Sequence, residues 1–407
     1  MEKCILHSDM NGFYASVECL YNPKIRMKPV IVAGDEKARH GIVLAKNEIA
    51  KAYGVKTGDT LWQAKLLCPE AVFVAPNFDR YIKMSRLAKQ IYYDFTDKVE
   101  SFGLDEAWLD VTESLNLFGS GKDIADKIRK RIKNELGLTV SVGVSFNKIF
   151  AKLGSDMKKP DATTVISRDD FKQKIWNLPV RDLLFVGKAT DKKLNSYGIK
   201  TIGELASTDK KILQRNLGKH GATLWEYANG LDKSEVSEYN SKEPVKSIGN
   251  SVTTPKDLID FNEVKITLGL LCESVSSRLR EKDFLCRTVQ IGIRTTDLIW
   301  IERQAKLSHP DRTAGELFKT AFSLFKANYS FENDLPIRSL SVKACDLEKS
   351  DYEQLTFNEI SQEELNESLE NTIDYLREKF GYFSVHKGIM LTDEELWENP
   401  KSHLQDV

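Results

Sequence analysis

Ser101-Phe102-Gly103-Leu104-Asp105-Glu106-Ala107-Trp108-Leu109-Asp110 is an acidic sequence around which the rest of the chain is organised. Its residues alternate in character before the turn and an apolar run resumes at Trp108, which predicts two short strands joined by a bend. Two adjacent carboxylates, Asp105 and Glu106, lie at that bend. Because neighbouring side chains of a strand face opposite ways, only a bend lets both reach one ligand. Taken alone, the stretch favours a surface turn with solvated acids, so the rest of the chain has to decide.

Length and composition indicate a globular protein with several domains. A chain of 407 residues is long enough for two to four domains, and 41% apolar and 29% charged residues are typical of soluble proteins. The first residues lack the apolar core of a signal peptide, and no window approaches 18 consecutive apolar residues, so we expect no membrane segment. Six scattered cysteines without a C-x-x-C pair argue against a zinc site or a disulfide framework and predict a cytoplasmic location.

Charge is distributed unevenly along the chain although the net charge is only −1. Residues 351–407 contain 14 acidic and 4 basic residues, which leaves residues 1–350 with a net charge of +9. A basic body with an acidic tail suggests a polyanion as the partner of the body. A solvated surface followed by a disordered end explains the same numbers equally well.

The order of the expected elements indicates an α+β multidomain fold. Strands are expected at residues 3–7, 29–33, 41–45, 72–75 and 139–145, and helices from residue 13 and at 47–53, 62–67, 79–97 and 123–136. Around the acidic hairpin this order resembles a split βαβ sheet with helices packed on one face, into which residues 13–75 are inserted. Residues 168–233 are helical, residues 237–246 resemble a linker, and residues 252–343 alternate strand and helix as a separate α/β domain would.

A third carboxylate, Asp9, is expected at the end of the first strand, where open sheets bind ligands. If that strand lies beside the hairpin, Asp9, Asp105 and Glu106 face one another. Three crowded carboxylates repel, and at least one is protonated unless cations neutralise them. Mg²⁺ is the natural cation, because it prefers oxygen ligands and substrate phosphates, and two such ions form a phosphoryl-transfer site.

Three motifs in this order resemble those of Y-family (translesion) DNA polymerases of bacterial type. They are SDMNGFYASVE at residues 8–18, GLDEA at residues 103–107 and VGVSFNKIFAKL at residues 142–153. Each motif is weak alone, but the three in this order and spacing are specific, and the resemblance extends over residues 4–345. It implies a right-hand polymerase. The implied parts are a palm (1–12 and 76–167), small fingers (13–75), a helical thumb (168–236), a linker (237–246), a DNA-binding little finger (247–350) and an acidic tail (351–407).

The resemblance implies a chemistry and assigns residues to it. Asp9, Asp105 and Glu106 would hold two Mg²⁺ ions, with the backbone carbonyl of Met10 as a further ligand. A primer 3′-hydroxyl would then attack the α-phosphate of a deoxynucleoside triphosphate (dNTP) on a primer–template DNA. Tyr14 matches the family's steric gate against ribose, although an aromatic residue on a helix is also an ordinary core residue.

The triphosphate contacts are where this chain departs from the family. The backbone N–H groups of Phe13 and Tyr14, at a helix start, and Lys159 match phosphate-binding positions, although a lysine before proline is usually just solvated. Many members have Tyr-x-Ala-Arg where this chain has Glu48-Ile49-Ala50-Lys51, and the run at residues 46–52 is closer to the polymerase V catalytic subunit than to polymerase IV. An arginine guanidinium can donate two parallel hydrogen bonds to a phosphate, whereas the lysine ammonium acts as a point charge. Lys51 is therefore expected to bind phosphate less well than the family's arginine, and Lys46 is the candidate to compensate.

The remaining assignments concern DNA and a partner protein. Gly187 and Lys188 match a helix-hairpin-helix that grips a DNA phosphate, although Phe185 replaces the usual first glycine and a plain helical hairpin fits too. Lys246 and Arg287 are the leading DNA-contact candidates among the basic residues of the little finger, most of which solvated surface would also explain. Gln354, Leu355 and Phe357 partly match the peptide that binds the sliding clamp. The following amphipathic helix, residues 363–380, is expected either to pack on the body or to bind a partner.

Three functions compete at this point. The preferred one is a monomeric, low-fidelity, template-directed DNA polymerase for translesion synthesis in DNA repair, because small fingers enclose little of the nascent base pair. A nucleotidyl cyclase places two metal carboxylates on a similar sheet but does not explain the helical hairpin or the basic domain. A non-catalytic scaffold that binds DNA and clamp does not explain why all three carboxylates are present.

Overall fold

A computed structural model describes residues 2–35, 41–238, 244–349, 360–381 and 384–389, together with Asp393 and Leu396. Of residues 360–366 it describes the backbone alone, and the predicted clamp residues Gln354, Leu355 and Phe357 lie outside the described residues. The chain divides into two units, Met1–Gly34 with Ile42–Lys242, and Asp35–Gly41 with Glu243–Val407. None of the helices in the described ranges is long and apolar enough to cross a membrane.

The first unit contains two sheets and a helical region. Its elements are β1 (Ile5–Met10), α1 (Phe13–Tyr21), β2 (Val30–Ala33), β3 (Val43–Lys46), α2 (Glu48–Ala52), α3 (Leu61–Leu67), β4 (Val72–Val74), α4 (Phe78–Tyr93), β5 (Val99–Ser101), β6 (Glu106–Asp110), α5 (Leu115–Phe118), α6 (Gly121–Arg131) with a π-helical turn at Ile132–Leu136, β7 (Val140–Ser145), α7 (Lys148–Met157), β8 (Thr163–Ile166), α8 (Phe171–Ile175), α9 (Lys188–Ser196), α10 (Ile202–Ser207), α11 (Lys210–Leu217) and α12 (Lys219–Ala228). Three 3₁₀ turns lie at Pro23–Ile25, Thr112–Ser114 and Val180–Asp182.

The larger sheet has the strand order β5-β6-β1-β7-β8 and holds the acidic hairpin. Its neighbours are antiparallel except β7 and β8, which are parallel. β1 runs through the centre to Met10, so the expected strand at residues 3–7 ends three residues too early. The reason is that Ser8 and Asp9 are polar but buried, and the Ser8 hydroxyl lies 2.9 Å from the hydroxyl of Tyr92.

Helices cover both faces of this sheet, and not one face as the sequence led us to expect. Leu6 and Met10 of β1 belong to one core with the buried residues of α4 and α6. The opposite face is covered by α7, because Gly143 of β7 has no side chain: a Cβ there would lie 1.9 Å from the carbonyl oxygen of Ala151. Residues that alternate along β1 therefore face two different helical layers.

The small sheet, with the order β3-β2-β4, lies in residues 13–75 as expected for the insertion. It meets the end of β1 at Gly12, whose φ of 52° is in the left-handed region. A Cβ on Gly12 would lie 2.9 Å from the carbonyl oxygen of Lys46, so the end of β3 packs directly on the turn that starts α1. Helices α8–α12 pack on α7 through a separate apolar core that includes Phe150 and Leu194.

The second unit is an antiparallel sheet covered by helices. Its elements are β9 (Ser247–Leu258), α13 (Phe261–Glu281), β10 (Phe284–Thr295), β11 (Trp300–Asp311), α14 (Ala314–Asn328), β12 (Ile337–Lys349) and α15 (Ile360–Phe380). The strand order is β11-β10-β12-β9. Buried residues of β10 and β12 share one core with α13 and α14, such as Val289, Ile291, Val342 and Phe325.

The acidic helix α15 packs on this unit, which decides between the two roles expected for it. Arg280 of α13 is 8% exposed and forms ion pairs with Glu370 and with Asp374, whose carboxylate is 2.7 Å from the guanidinium. Glu273 is paired with Arg377 at 2.8 Å. The backbone N–H of Ala314, at the start of α14, donates to Glu370 at 2.9 Å. Ion pairs of both polarities thus hold α15 against the start of α14 and the side of α13.

We expect Arg280→Ala to destabilise the second unit by about 2–4 kcal/mol, because it leaves two partly buried carboxylates without their cation. Calorimetry of the full chain measures the loss, and hydrogen exchange of α13 and α15 locates it. Arg287→Ala is the matched control: Arg287 is 57% exposed and pairs with Glu348 at 2.7 Å, so its loss should cost less than about 1 kcal/mol. Equal effects of the two substitutions would contradict this account of α15.

Candidate active site

Three predicted carboxylates meet at one end of the larger sheet. Asp9 of β1 is directly opposite Glu106 of β6 in the antiparallel register. The backbone N–H of Met10 donates to the carbonyl of Asp105 at 3.0 Å, which closes the hairpin turn onto β1. Asp9 is 5% exposed and is held by pairing on both sides, since it also lies opposite Ser141 of β7. The bend inferred from the sequence therefore brings all three acids to the same end of the larger sheet, although in the described residues their side chains do not close around a common point.

Crowding changes the acidity of these groups in opposite directions. Burial, together with the negative charges of Glu106 and Asp9, raises the pKa of Asp105 to about 6. Burial would also raise the pKa of Glu106, but hydrogen bonds from His7 and Lys152 outweigh it and lower that pKa to about 2. The Asp105 carboxyl is thus poorly stabilised as an anion, whereas the Glu106 carboxylate is well stabilised.

Two lysines from the α7 region neutralise part of that charge. Lys152 Nζ lies 2.7 Å from Glu106 Oε2 and 3.5 Å from Asp9 Oδ2. Lys159 Nζ lies 2.7 Å from Asp9 Oδ2, and Asp156 contacts Lys159 at 2.9 Å and Lys152 at 3.4 Å. Lys159 was predicted from the sequence to lie in the site, whereas Lys152 was not. The signal was available, because Lys152 and Asp156 are four residues apart on one helix and so share a face.

The donor set fits a hard divalent cation. In the part of the chain that the structure describes, no three His, Cys, Asp or Glu side chains are gathered closely enough to enclose a metal. The oxygens of Asp9 and Glu106 are instead ion-paired with ammonium groups, which supply the positive charge. All three predicted ligands are carboxylates, the ligands that Mg²⁺ prefers, and a divalent ion would relieve the repulsion that raises the pKa of Asp105.

Tyr14 lies beside these acids in an aromatic cluster. Its ring is stacked on Tyr81 with centroids 4.2 Å apart and 10° between the planes, and Phe78 meets it edge-on at 5.9 Å. Burial, together with the charge of Asp105, raises the pKa of the Tyr14 hydroxyl. Tyr81 is fixed in turn, since its hydroxyl donates to the buried Glu18 at 2.8 Å. The orientation of Tyr14 is therefore set by its neighbours.

The groups predicted to bind phosphate differ in how far they are already bonded to other residues. Phe13 and Tyr14 begin α1, and no side chain caps the free N–H groups of that helix. Lys46 lies next to Gly12 through its backbone, and its Nζ donates to the Thr57 hydroxyl at 2.9 Å. Lys51 forms an ion pair at 3.3 Å with Glu48, the residue that replaces the family's tyrosine, and both are about half exposed.

The helical hairpin has the shape that the sequence suggested despite its missing glycine. Gly187 is the N-cap of α9, and Lys188 is its first residue. Phe185 has a φ of 68°, the left-handed conformation that favours glycine, and its ring is 54% exposed. Position 185 thus has the left-handed backbone conformation that favours glycine, although the residue here is phenylalanine.

The second unit has one sheet face that α13 and α14 leave uncovered. Small polar residues from neighbouring strands lie opposite each other there, with Ser251 facing Ser341 and Gly249 facing Lys343. Of the predicted DNA contacts in this unit, Lys246 is exposed just before β9, whereas Arg287 is engaged by Glu348. Lys343 is a basic residue on this face that the sequence analysis did not single out.

Known protein families match three parts of the chain. Residues 8–156 match the impB/mucB/samB family, and residues 245–357 match the C-terminal domain of the same family. Residues 181–232 match the thumb domain described for DNA polymerase iota.

Similar proteins span the whole chain. A DNA polymerase IV of Acetivibrio thermocellus is 52% identical over 97% of this chain and 99% of its own length. A DNA polymerase IV of Clostridium acetobutylicum is 38% identical over 97% of this chain and 100% of its own length. Among solved structures, a chimeric Y-family DNA polymerase matches with a TM-score of 0.74 at 25% identity, covering 84% of this chain and 99% of that one.

Proposed function

This chain belongs to the Y-family of DNA polymerases, and we propose that it is a monomeric polymerase IV-type enzyme that copies damaged DNA at low fidelity. The single observation that carries the proposal is that Asp9, Asp105 and Glu106 lie together at the end of the β1–β6 pair, in a chain that is similar to a DNA polymerase IV over 97% of its length. The family assigns the reaction, DNA-directed DNA synthesis from dNTPs on a primer–template. The residue roles below are our proposals.

Asp9, Asp105, Glu106 and the backbone carbonyl of Met10 would hold two Mg²⁺ ions. When bound, such ions supply charge that lowers the pKa of the primer hydroxyl and stabilises the leaving pyrophosphate. The strands supply rigidity: Asp9 and Glu106 are fixed opposite each other by backbone pairing, so little reorganisation is needed at the moment of reaction.

Lys152 and Lys159 would exchange partners when substrate arrives. Both ammonium groups are held by Asp156 as well as by the site carboxylates, so they remain nearby if a metal takes over Asp9 and Glu106. Repulsion from a bound metal ion and attraction to phosphate oxygens would both draw the two ammonium groups away from the carboxylates and toward the substrate. We assign Lys159, the N–H groups of Phe13 and Tyr14, and Lys46 to the triphosphate, with Lys51 reaching it only after leaving Glu48.

We propose that two parts of the chain bind DNA without base-specific contacts. The start of α9 at Gly187 and Lys188 presents backbone N–H groups, which suits a phosphate of the duplex. The uncovered face of the β9–β12 sheet presents small polar side chains and Lys343, with Lys246 beside its first strand. Binding of this kind weakens steeply with salt, and Arg287 would contribute only after leaving Glu348.

Low fidelity follows from the size of the insertion at residues 13–75. Its strands are 3–4 residues long and its helices α2 and α3 have 5 and 7 residues. So small a structure can enclose little of a base pair, and a distorted or damaged template base meets few clashes. Translesion synthesis in DNA repair, in the cytoplasm of a bacterial cell, is the role that fits this property.

A nucleotidyl cyclase was the rival enzyme, and the matches decide against it. The match of residues 181–232 to a polymerase thumb and of residues 245–357 to the C-terminal domain of the same family accounts for the parts that a cyclase does not need.

Primer extension with purified protein, Mg²⁺ and the four dNTPs tests the proposal. The expected result is extension that follows the template, on undamaged DNA and past at least one type of damaged base. A protein that binds primer–template but extends no primer would be the scaffold of our third hypothesis, and the proposed function would be wrong.

A sliding clamp is proposed as a partner on the basis of Gln354, Leu355 and Phe357. Deleting residues 354–358 is expected to leave synthesis without clamp unchanged and to reduce stimulation by added clamp by about tenfold or more, because the anchoring side chains are lost. Processivity assays with and without clamp measure both quantities. If the clamp stimulates the deletion variant as strongly as it stimulates wild type, residues 354–358 are not the clamp-binding peptide.

A further inference from the structure

An exposed aromatic residue to which the proposed reaction gives no role lies next to the carboxylates. Phe102 follows β5, and its backbone N–H donates to the carbonyl of Glu106 at 2.9 Å, which continues the β5–β6 register by one pair. Glu106 is in turn opposite Asp9 of β1. Residues directly opposite each other in an antiparallel sheet have their side chains on the same face. The side chain of Phe102 therefore lies in one row with two of the predicted metal ligands.

The ring of Phe102 rests on a fixed support. Trp108, two residues after Glu106 on the same face of β6, packs against it with ring centroids 4.7 Å apart and 48° between the planes. Trp108 is buried, and its Nε1–H donates to the carbonyl of Lys148 at 3.0 Å. The Lys148 ammonium lies 4.6 Å from the centre of the Trp108 ring. The start of α7 thus holds the tryptophan in place, and the tryptophan supports one side of the Phe102 ring.

The two ends of this row differ in their exposure to solvent. At the end formed by β1, Asp9 is buried and is paired with the ammonium groups of Lys152 and Lys159. At the end formed by β5, Phe102 is 38% exposed, although it is an apolar side chain beside carboxylates. A group that approaches the carboxylates from the β5 side therefore passes over the exposed part of the Phe102 ring.

The substrates of a polymerase supply one group for that position. The proposed contacts of the dNTP lie elsewhere, with its sugar at Tyr14 and its phosphates at the start of α1 and at Lys159. The primer has to bring its 3′-hydroxyl to the same metal ions. That hydroxyl is carried by a deoxyribose, whose ring faces consist largely of C–H groups. Such a face packs on an aromatic ring and gains free energy by leaving water.

We propose that Phe102 is a positioning residue for the primer: the exposed part of its ring packs against the 3′-terminal deoxyribose and so directs the 3′-hydroxyl toward the metal ions. The inference rests on the proposed function, because it concerns where one substrate of that reaction lies. A displacement of about 1 Å between reacting groups can cost about 100-fold in rate, so a contact that fixes the sugar matters for the reaction. The ring exchanges no proton and binds no metal.

Single-turnover primer extension by the full chain measures this role. At saturating primer–template, Phe102→Ala is expected to lower the maximal rate by about 10–100-fold, because the primer hydroxyl is no longer held in place. The dNTP concentration that gives half of the maximal rate should stay within about threefold of wild type, because the dNTP does not contact the ring. Phe102→Leu keeps an apolar side chain and should lose less of the rate than Phe102→Ala.

Phe118→Ala is the matched control. The Phe118 ring is also partly buried and packs on another aromatic ring, that of Phe95, with centroids 5.1 Å apart. It belongs to α5 and not to the row that contains the carboxylates. Its removal should therefore lower stability without changing the maximal rate of extension.

A primer without a terminal sugar ring tests whether Phe102 acts through that sugar. Its last nucleotide is acyclic but still carries a hydroxyl, so wild type loses the proposed contact on this primer. Phe102→Ala should then be no slower than wild type, because the two changes remove the same interaction and are not additive. A purely structural role of Phe102 would instead slow extension of both primers by the same factor.

Two outcomes would overturn the inference. One is a maximal rate of Phe102→Ala within about threefold of wild type on the ordinary primer, and the other is an equal loss on both primers. Because the two primers are compared with the same protein sample, partial unfolding of a variant affects both rates alike and cannot imitate the expected difference. The proposed function fails separately: in that case wild-type protein itself does not extend the ordinary primer.

Discussion

Asp105→Asn is expected to reduce primer extension by at least about 10³-fold, which corresponds to about 4 kcal/mol of barrier. Asparagine keeps the shape of the side chain but removes the charge that a divalent ion requires. Because the pKa of Asp105 is raised to about 6 by burial and by two neighbouring carboxylates, the neutral side chain relieves repulsion in the metal-free protein. The variant should therefore be inactive and at least as stable as wild type, which single-turnover extension and thermal unfolding together measure.

Asp110→Asn is the matched control for this substitution. Asp110 ends the same strand, but it accepts hydrogen bonds from the backbone N–H and the hydroxyl of Thr112 at 3.0 and 2.5 Å, which an asparagine oxygen can also do. It should keep wild-type extension. If Asp105→Asn still extends primers within about tenfold of wild type, Asp105 is not a ligand of the metal ions.

Tyr14→Ala is expected to lower discrimination against ribonucleotides by about 100-fold. The Tyr14 ring is fixed by stacking on Tyr81 and edge contact with Phe78, so in wild type it cannot move away from a 2′-hydroxyl. Removing the ring opens space for that hydroxyl, while binding of the base and triphosphate is largely retained. The measurement is the ratio of kcat/KM for a dNTP and the matching ribonucleotide.

Tyr14→Phe isolates the ring from its hydroxyl. Phenylalanine keeps the bulk and the stacking, so sugar discrimination should stay close to that of wild type. Unchanged discrimination in Tyr14→Ala would contradict the assignment of a steric gate to Tyr14, and a large loss in Tyr14→Phe would mean that a hydrogen bond, not a clash, rejects ribose.

The sequence predicted those parts of the fold that depend on local patterns. Alternation and turn residues located the hairpin at residues 101–110, and its two adjacent acids pointed to a bend. The end of β1 was misplaced, because Ser8 and Asp9 interrupt the apolar pattern while the strand continues to Met10. Their burial depends on Tyr92 and on two lysines that are distant in sequence, which local patterns do not report.

The sequence identified the acidic residues and one lysine of the candidate site. It did not identify the residue that reaches the site only because α7 packs on the larger sheet. Asp9, Asp105, Glu106 and Lys159 were singled out, and the structure brings them together. Lys152 was not, because its place in the site arises from the packing of α7 on the sheet at Gly143. We expected helices on one face only, and the face we overlooked is the one that supports the carboxylates.

Sequence comparison and residue detail point to different subgroups at residues 46–52. The relatives named above are polymerase IV enzymes, whereas from the sequence we expected the run around Glu48 and Lys51 to be closer to polymerase V. The ion pair between these two side chains gives a physical reason to expect a changed triphosphate contact, because Lys51 has to leave Glu48 before it can bind phosphate. The backbone of Lys46 packs on the turn at Gly12, and its ammonium group donates to the Thr57 hydroxyl.

The central claim, that the acidic hairpin and β1 hold the metal ions of a polymerase, is tested most directly by anomalous diffraction. Crystals of the protein with dNTP, Mn²⁺ and a primer–template ending in a dideoxynucleotide would show where the ions bind. We predict two Mn²⁺ peaks between Asp9, Asp105 and Glu106, with Lys152 and Lys159 moved from these carboxylates. A complex with DNA and dNTP bound, and with Mn²⁺ elsewhere or absent from these three side chains, would contradict the account.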